Sequence, residues 1–445
     1  MPAVNVFIWS HFVGTVIWDA ARQVATFEFD DNFIKLGIDL APLMMPLEDL
    51  QRGEQIFEFP SLNKAVFHGL PGLLSDSLPD AFGGALLKAW LARQGRDMQT
   101  ITPVEQLSYI GSRGMGALRF EPAILPQATA ADTLEVASLL GLANKVLSDR
   151  ASLLVSLSED EESALLELIK VGTSAGGQRG KAIVAYNEKT GEIRSGQLDL
   201  PEGFEHYLLK FDGVNAGALG DPAGYGRIEM AYYSMALDGG IRMTNCRLLE
   251  ENGRAHFMTR RFDRKEDGER VHMQTLCALA HYDYHQPGMY SYDDAFADMR
   301  ELYLPYPDMD QLYRRMVFNI VARNQDDHTK NISFVLPENG DWRLSPAYDV
   351  NWSYNPSGAW TNLHQMHVSG NRDGFTRQDL IDFGQKQGIK NCGEIVNQIV
   401  EVVSNWPEYA KMTGVGKGRM QVIGKTLCIS SSGFRLFWGL LLLTN

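Results

Sequence analysis

The most constraining feature of this chain is the pair Asn339-Gly340, which lies between two short runs rich in β-forming residues. A tight type I′ turn needs a positive φ at both central residues, and Asn-Gly supplies it best. The sequence therefore predicts an antiparallel hairpin with a two-residue turn. In that register Asn331 faces Tyr348, and Asp349 lies beside it.

The open end of this hairpin predicts a site for phosphoryl transfer. Asn331 and Asp349 offer hard oxygen ligands that suit Mg²⁺. Asp326 lies five residues before Asn331, the spacing found between base and asparagine in kinase catalytic loops. Asp and Asn also cluster in turns and caps for purely structural reasons. The hairpin and the upstream features below favour the catalytic interpretation.

The composition is that of a globular protein with room for about two to three domains. Its 445 residues are 44% hydrophobic and 22% charged, and the net charge of −14 argues against a nucleic-acid-binding surface. Widely spaced cysteines and the absence of signal-peptide features predict a cytoplasmic protein without membrane association. The apolar run 437–443 is too short to span a bilayer. It is either packed on the core or an altered end of the reading frame.

Hydrophobic periodicity predicts the order of elements. Residues 4–37 alternate β-like runs and turns, which predicts a small antiparallel sheet. A helix is predicted over 83–93, with capping residues in 75–80, and the polar stretch 127–135 is the expected domain boundary.

From about 165 to 262 strands predominate, and Asn252-Gly253 predicts another hairpin. One helix is predicted there, ended by Gly239-Gly240. Its apolar face is formed by Ile228, Tyr232 and Met235. Beyond 265 the pattern is helical, and apolar residues recur every fourth position before Asp326, at Leu312, Met316 and Ile320. A β-rich part followed by a helical part is typical of a two-lobed kinase.

The segment 172–181 is glycine-rich and precedes a strand, so its N–H groups could cradle phosphate. Ala175 and Ala182 exclude a Walker A loop, and a surface linker is the alternative. Lys210, in an apolar strand, could pair with nucleotide phosphates, although most strand lysines are merely solvated. Glu229 could orient Lys210 or simply suit a helix N-terminus.

A metal hydrolase is a rival interpretation because His328 follows Asp326 closely. The chain has no HExxH helix, so His281 and His285 would have to supply further ligands from another element. Residues 260–264 could form a kinase hinge or a surface ion-pair cluster.

With these residues, the chain resembles the HipA family of bacterial serine/threonine kinases, the toxins of HipA–HipB toxin–antitoxin modules. Residues 69–80 (GLPGLLSDSLPD) are similar to the N-terminal domain signature, and 172–181 to the phosphate loop. Residues 261–264 (RFDR) resemble the hinge, while 326–331 (DDHTKN) and 345–349 (SPAYD) resemble the catalytic and metal-binding segments.

The resemblance implies an α+β, two-lobed atypical protein-kinase-like fold, related to phosphatidylinositol kinases, with a small N-terminal β/α domain. The implied domains are 1–130 (N-terminal), 131–262 (kinase N-lobe) and 263–445 (kinase C-lobe). It implies Asp326 as catalytic base and Asn331 and Asp349 as Mg²⁺ ligands. The residues that it implies in contact with ATP are Ala175, Gly176, Gly177, Gln178, Arg179, Gly180, Lys210, Arg260, Arg261, Phe262, His328, Thr329, Lys330, Asn331 and Asp349.

The resemblance also implies regulation and partners. Autophosphorylation would fall on Ser174 or Thr173, and it would silence the kinase by expelling the loop. The implied partners are a HipB-like helix-turn-helix antitoxin, DNA only through that antitoxin, and a protein substrate, possibly an aminoacyl-tRNA synthetase. Arg179-Gly180 before Lys181 and the apolar C-terminus depart from the family pattern. The alternatives are a small-molecule phosphotransferase of the antibiotic or sugar kinase type, and a kinase-like co-repressor module.

Overall fold

The computed structural model describes most of the chain and divides it into two compact units. The described residues are 3–125, 139–140, 143, 180–196, 200–215, 218–219, 224–265 and 268–429. Unit 1 comprises Met1–Gly226, Thr244–Asp283 and Ser333–Ser345, and unit 2 comprises Arg227–Met243, Tyr284–Ile332 and Pro346–Asn445. The predicted boundary near residue 130 lies outside the described residues, and the three-domain division stays a prediction.

The strands of the described residues all lie in unit 1. They are β1 (Ala3–Ile8), β2 (His11–Asp19), β3 (Val24–Phe29), β4 (Ile56–Phe57), β5 (Leu118–Glu121), β6 (Lys181–Asn187), β7 (Ile193–Ser195), β8 (Phe204–Lys210), β9 (Val214–Asn215), β10 (Ala218–Leu219), β11 (Cys246–Glu251), β12 (Arg254–Arg260), β13 (His272–Thr275), β14 (Ser333–Leu336) and β15 (Arg343–Leu344). The sheets have the orders β4-β3-β2-β1-β5, β11-β12-β8-β6-β7 and β13-β14-β15, and β9 pairs with β10. The antiparallel pairing of β1, β2 and β3 confirms the predicted N-terminal sheet.

Helices occur in both units. They are α1 (Asp31–Ile34), α2 (Leu47–Gln51), α3 (Lys64–Phe67), α4 (Gly72–Ser75), α5 (Ala81–Arg93), α6 (Pro103–Ile110), α7 (Tyr225–Asp238), α8 (Leu276–Leu279), α9 (Tyr292–Glu301), α10 (Tyr306–Val321), α11 (Arg377–Lys386), α12 (Cys392–Ser404), α13 (Trp406–Met412) and α14 (Lys417–Gly424). Within the described residues, two 3-10 turns are formed by Met98–Thr100 and Thr329–Asn331. Among these helices, none is both long and apolar enough to cross a membrane.

Helix α5 links the N-terminal part of unit 1 to its second sheet. The helix begins after Asp80, whose side chain accepts the N–H of Gly83 at 2.7 Å, so the predicted cap is confirmed. Phe82 and Leu86 on this helix share one buried core with Val184 of β6 and Leu209 of β8. Burial of each such side chain contributes roughly 1.5–3 kcal/mol.

The segment 69–80 fastens the N-terminal part of unit 1 to α8. The N–H of Gly72 donates to Nε2 of His281 at 2.9 Å. The carboxylate of Asp76 accepts the N–H of Thr275 at 2.7 Å and its hydroxyl at 3.0 Å. Gly72 has no space for a side chain, because a Cβ there would lie 2.0 Å from the carbonyl oxygen of Ala278.

The two predicted Asn-Gly hairpins have different outcomes. Asn252 and Gly253 form a two-residue turn with φ of +48° and +77°, and Glu251 pairs with Arg254 across it, as predicted. At Asn339-Gly340 the predicted register is wrong. Phe334 pairs with Leu344 rather than with Ser345, and neither Asn339 nor Gly340 has a positive φ.

The register of β14 and β15 has a tertiary cause. The φ of Pro337 is fixed, which favours a turn, and its carbonyl accepts the N–H of Gly340 at 3.2 Å. Trp342 is only 8% exposed, and its indole donates to the carbonyl of Asp39 at 2.9 Å. We infer that this distant contact selects the register over the local Asn-Gly preference.

In unit 2, α7 packs with α10 and α13. The hydroxyl of Tyr232 donates to the carbonyl of Ala322 at 2.6 Å, and its ring lies 6.0 Å from that of Phe318 and 5.6 Å from that of Trp406. The predicted apolar faces of α7 and α10 are buried. They are formed by Ile228, Tyr232 and Met235 on α7 and by Leu312, Met316 and Ile320 on α10. This packing fixes the end of α10, from which the chain runs into Asp326.

Candidate active site

Residues 326–331 form a loop closed by its last residue. The N–H of Asn331 donates to the carbonyl of His328 at 2.8 Å, and its side-chain amide donates to the carbonyl of Asp326 at 2.8 Å. These two bonds place Asp326 and Asn331 at opposite ends of one short turn. They also fix the direction of the Asn331 carboxamide, because its nitrogen is engaged; among the described residues its oxygen accepts no bond and can take a ligand.

The carboxylate of Asp326 is 38% exposed and held on one side only. Its Oδ1 accepts the indole N–H of Trp360 at 2.6 Å and lies 3.7 Å from Nε2 of His328. In the part of the chain that the structure describes, Oδ2 has no hydrogen-bond partner. Asp326 therefore has one oxygen fixed and one available to accept a proton.

His328 lies next to the Asp326 carboxylate, and its side chain is 14% exposed. Burial lowers the pKa of His328, although the charges of Asp326 and Asp349 oppose the shift. Its Nδ1 is buried and finds no hydrogen-bond partner among the described residues.

A hydrogen bond between neighbouring residues links the segments that carry Asn331 and Asp349. The hydroxyl of Tyr348 donates to the carbonyl of Lys330 at 2.7 Å. This bond, and not the predicted hairpin register, joins the two segments, because β14 begins only at Ser333. Asp349 has φ of +52°, an uncommon conformation that often marks a functional site.

This donor set fits Mg²⁺. The ion takes oxygen ligands, keeps several waters and is commonly held by one or two carboxylates together with substrate phosphates. Asn331 and Asp349 would hold it as an amide oxygen and a carboxylate. Across the described ranges, no group of three or more His, Cys, Asp or Glu side chains is placed to hold a metal ion.

The neighbouring Asp327 has a different role. Its side chain is buried and accepts the hydroxyl of Tyr292 at 3.0 Å and the N–H of Gln365 at 2.8 Å, while Nδ1 of His364 lies 2.9 Å away. A buried carboxylate with this many partners is structural. Its hydrogen bonds hold the loop 326–331 in place.

In unit 1, the end of the predicted phosphate loop lies beside Lys210. Lys181 pairs with Lys210 across β6 and β8, and the carbonyl of Gly180 accepts the N–H of Phe211 at 2.9 Å. The ammonium of Lys210 lies 5.7 Å from the ring centroid of Phe257. The other predicted loop residues, Thr173, Ser174, Ala175, Gly176, Gly177, Gln178 and Arg179, lie outside the described residues.

The predicted hinge also lies in unit 1. Arg260 pairs with Glu205 at 3.1 Å, and Phe262 is half-buried. The guanidinium of Arg261 is buried and bonds to Asp263 at 2.6 Å. Burial alone would raise the pKa of Asp263, but the adjacent guanidinium groups lower it overall. The Arg261 side chain thus serves the fold, and ATP contacts by this segment stay a prediction.

The remaining predicted residues lie on these same elements. Thr329 is buried in the 3-10 turn, and the Lys330 ammonium lies 5.2 Å from the ring centroid of Tyr284. Glu229 is buried on α7. The hydrolase interpretation is not supported, because Nε2 of His281 is engaged by Gly72 within unit 1.

Sequence reasoning missed an aromatic group around His328. The ring of Tyr284 lies 5.2 Å from that of His328 and 4.3 Å from that of His285, and the Trp360 ring lies 6.2 Å from that of His328. Tyr284 and His285 are adjacent, but His328 and Trp360 are far from them in the chain, so no periodic pattern marks the group. A lone tryptophan between polar and small residues was the available signal for Trp360.

Two protein-family models match this chain. The family model described as the HipA N-terminal domain matches residues 4–121, and that of the HipA-like C-terminal domain matches residues 173–406. The candidate kinase Y4mE of Sinorhizobium fredii is 31% identical over 108 residues, which are 22% of this chain and 26% of Y4mE. The alignment therefore spans about a quarter of that relative.

Among solved structures, the complex of HipA, HipB and operator DNA from Shewanella oneidensis MR-1 matches with a TM-score of 0.65 at 16% identity, covering 95% of this chain and 94% of that one. The proinflammatory kinase CtkA of Helicobacter pylori matches with a TM-score of 0.32 at 12% identity, covering 50% and 90%, which is too low to bear on the fold. The C-terminal family model alone covers more than half of the chain. This chain, with its α+β, two-lobed kinase-like fold, belongs to the HipA family.

Proposed function

We propose that this chain is an ATP- and Mg²⁺-dependent serine/threonine protein kinase. The observation that carries the proposal is the closed loop 326–331. Asp326 on this loop has one carboxylate oxygen without a partner among the described residues, and the loop fixes the Asn331 carboxamide. Phosphoryl transfer depends mainly on positioning and charge neutralisation, and this loop supplies the groups for both.

In the proposed reaction, Asp326 acts on the acceptor. Its free Oδ2 takes the proton of a serine or threonine hydroxyl. As it does so, the hydroxyl oxygen bonds to the γ-phosphorus of ATP, and the bond between that phosphorus and ADP breaks. Mg²⁺ bound with ATP would neutralise phosphate charge. Asn331 and Asp349 would hold that ion, and the half-buried Asp326 carboxylate orients the hydroxyl.

Unit 1 would bind the nucleotide. Lys210 supplies a positive charge at the end of β8, and the backbone N–H groups of residues 175–180 supply donors for phosphate oxygens. The pairing of Lys181 with Lys210 supports this assignment, because it anchors the end of the glycine-rich segment beside the lysine. Arg260, Phe262, His328, Thr329 and Lys330 complete the proposed ATP contacts.

We further propose that the protein is the toxin of a toxin–antitoxin pair. Its partner would be a HipB-like helix-turn-helix antitoxin, and its substrate a translation component such as an aminoacyl-tRNA synthetase in the cytoplasm. Family membership supports this proposal, as does the similar Shewanella protein solved with HipB and operator DNA. The net charge of −14 fits contact with DNA only through the antitoxin.

The substitution Asp326→Asn tests the kinase proposal. It keeps the shape of the side chain but removes the base, so transfer of labelled γ-phosphate from MgATP to the protein itself and to casein should fall by roughly 10²- to 10⁴-fold. The melting temperature should be unchanged. Asp382→Asn is the matched control, because Asp382 is exposed on α11 and, among the described residues, accepts a bond only from Gln378. Equal turnover in Asp326→Asn and the parent would refute the assignment.

A further inference from the structure

We propose that Trp360 is a positioning residue for the catalytic base. This inference deepens the proposed function and rests on it. The indole N–H of Trp360 donates to Oδ1 of Asp326 at 2.6 Å, while Oδ2 has no partner among the described residues. Trp360 acts through Asp326: it fixes the rotation of the carboxylate and so directs the free oxygen toward the acceptor.

The hydrogen bond has the character that this role needs. An indole N–H only donates, so it holds a carboxylate oxygen without competing for the proton that the base must accept. Hydrogen bonds to charged acceptors are short and strong compared with neutral ones. A shift of about 1 Å in a reacting group can cost roughly 100-fold in rate. Fixing one oxygen of Asp326 therefore matters for catalysis.

The position of Trp360 is itself fixed by the loop that it serves. In the segment 360–365, the Gln365 side chain donates to the carbonyls of Trp360 and Leu363, and at 3.3 Å to the carbonyl of Gln325. The N–H of Gln365 donates to Oδ1 of Asp327 at 2.8 Å. The segment is thus hydrogen-bonded to Gln325 and Asp327, on both sides of Asp326. These bonds place the indole next to the Asp326 carboxylate.

Ring contacts restrict the indole further. The Trp360 ring lies 6.2 Å from that of His328 and 6.5 Å from that of His285, at steep angles to both. These contacts limit the tilt of the indole plane. The direction of its N–H is thereby set by packing as well as by Asp326.

Other indoles of the chain show that a carboxylate acceptor is a distinctive choice. Main-chain carbonyls accept the indole N–H groups of Trp9, Trp342 and Trp406, and a threonine hydroxyl accepts that of Trp352. Those bonds satisfy a polar atom during packing. The Trp360 bond instead engages the partly exposed carboxylate assigned as the base.

Two substitutions at Trp360 separate the hydrogen bond from the ring. Trp360→Phe removes the N–H but keeps an aromatic ring, so the rate of γ-phosphate transfer at saturating MgATP should fall about tenfold or more. The MgATP concentration for half-maximal rate should change less than about twofold, because the nucleotide contacts remain. Trp360→His should recover much of the rate, since the imidazole Nε2–H occupies nearly the position of the indole Nε1–H.

A nuclear magnetic resonance readout is independent of activity. The indole ¹H–¹⁵N signal of Trp360, assigned by its loss in Trp360→Phe, should move upfield in Asp326→Ala because the charged acceptor is gone. Trp352→Phe is the matched control: it removes an indole bond to Thr426 and should leave both the rate and this signal unchanged.

These experiments distinguish a failure of the positioning role from a failure of the kinase proposal. A parent-like rate in Trp360→Phe, or a Trp360 signal that does not respond to Asp326→Ala, would overturn the positioning role while leaving the kinase proposal intact. A parent protein that transfers no phosphate from MgATP would overturn the proposed function and the inference with it. If Trp360→Phe does not fold, Trp360→His, which also lacks the indole, assigns the signal, and the response of that signal to Asp326→Ala decides.

Discussion

At the scale of the residue, Asp349 combines a charge for Mg²⁺ with a left-handed backbone. Its φ of +52° is a conformation that Asp and Asn tolerate and Ala does not, so Asp349→Ala would add backbone strain. Asp349→Asn keeps the backbone and removes the charge. We expect it to weaken MgATP binding about tenfold or more while leaving metal-free ATP binding in EDTA unchanged, both measured by isothermal titration calorimetry.

The control for Asp349 must be an exposed aspartate without structural bonds. Asp327 is unsuitable because it is buried and accepts hydrogen bonds from several groups. Asp341 is exposed in the loop between β14 and β15, so Asp341→Asn should bind MgATP like the parent. If Asp349→Asn also binds MgATP like the parent, Asp349 is not a metal ligand.

At the scale of the element, two helical glycines should respond oppositely to alanine. Gly72 at the start of α4 lies against α8, and a Cβ would meet the Ala278 carbonyl oxygen at 2.0 Å. Gly84 inside α5 has no atom of the described residues within 4 Å of an added Cβ. Gly72→Ala should lower the free energy of unfolding by about 1–3 kcal/mol through overpacking. Gly84→Ala should raise it by about 0.5–1 kcal/mol through helix propensity.

Urea denaturation of both variants, followed by circular dichroism, measures this pair. Opposite signs would show that the segment 69–80 packs tightly against α8. A stable Gly72→Ala protein would mean that α4 and α8 can separate at little cost.

At the scale of the whole molecule, stability should fall on acidification. Burial lowers the pKa of His281 to about 4, that of His206 to about 4 and that of His272 to about 3, from 6.5. Below pH 6.5 the unfolded chain therefore binds more protons than the folded protein. The stability that these histidines contribute is fully present above that pH and is lost as the pH falls toward about 4.

Between pH 6.5 and 5, each of these histidines should lower the free energy of unfolding by about 2 kcal/mol. The free energy of unfolding from urea denaturation should decline over that range. His281→Gln removes one titrating group while keeping an acceptor for Gly72, so its profile should be flatter. Identical slopes for the variant and the parent would contradict the role of His281.

Regulation through the glycine-rich loop also concerns the whole molecule. Thr173 and Ser174 lie outside the described residues, and their autophosphorylation is our proposal. A phosphate there carries roughly −1.5 to −2 charges and would compete with ATP phosphates for the same donors. After incubation with MgATP, mass spectrometry should find the 172–181 peptide modified, and Ser174→Asp should weaken ATP binding. An unmodified peptide in protein that phosphorylates casein would exclude this switch.

Features governed by short-range chemistry were predictable from the sequence. The turn at Asn252-Gly253 follows from the φ preferences of its two residues, and the cap at Asp80 from one side chain next to a helix start. The buried face of α10 follows from a simple period. The spacing from Asp326 to Asn331 likewise indicated one loop, and that loop is closed by hydrogen bonds between its own residues.

Only the tertiary structure decided what depends on distant partners. The register of β14 and β15 follows the contact of Trp342 with Asp39, about 300 residues away, which outweighs the local preference of Asn339-Gly340. Trp360 reaches Asp326 only because Gln365 and Asp327 hold its segment on the loop. Local preferences are worth a fraction of a kcal/mol to about 1 kcal/mol, so a buried tertiary contact of similar or greater strength overrides them.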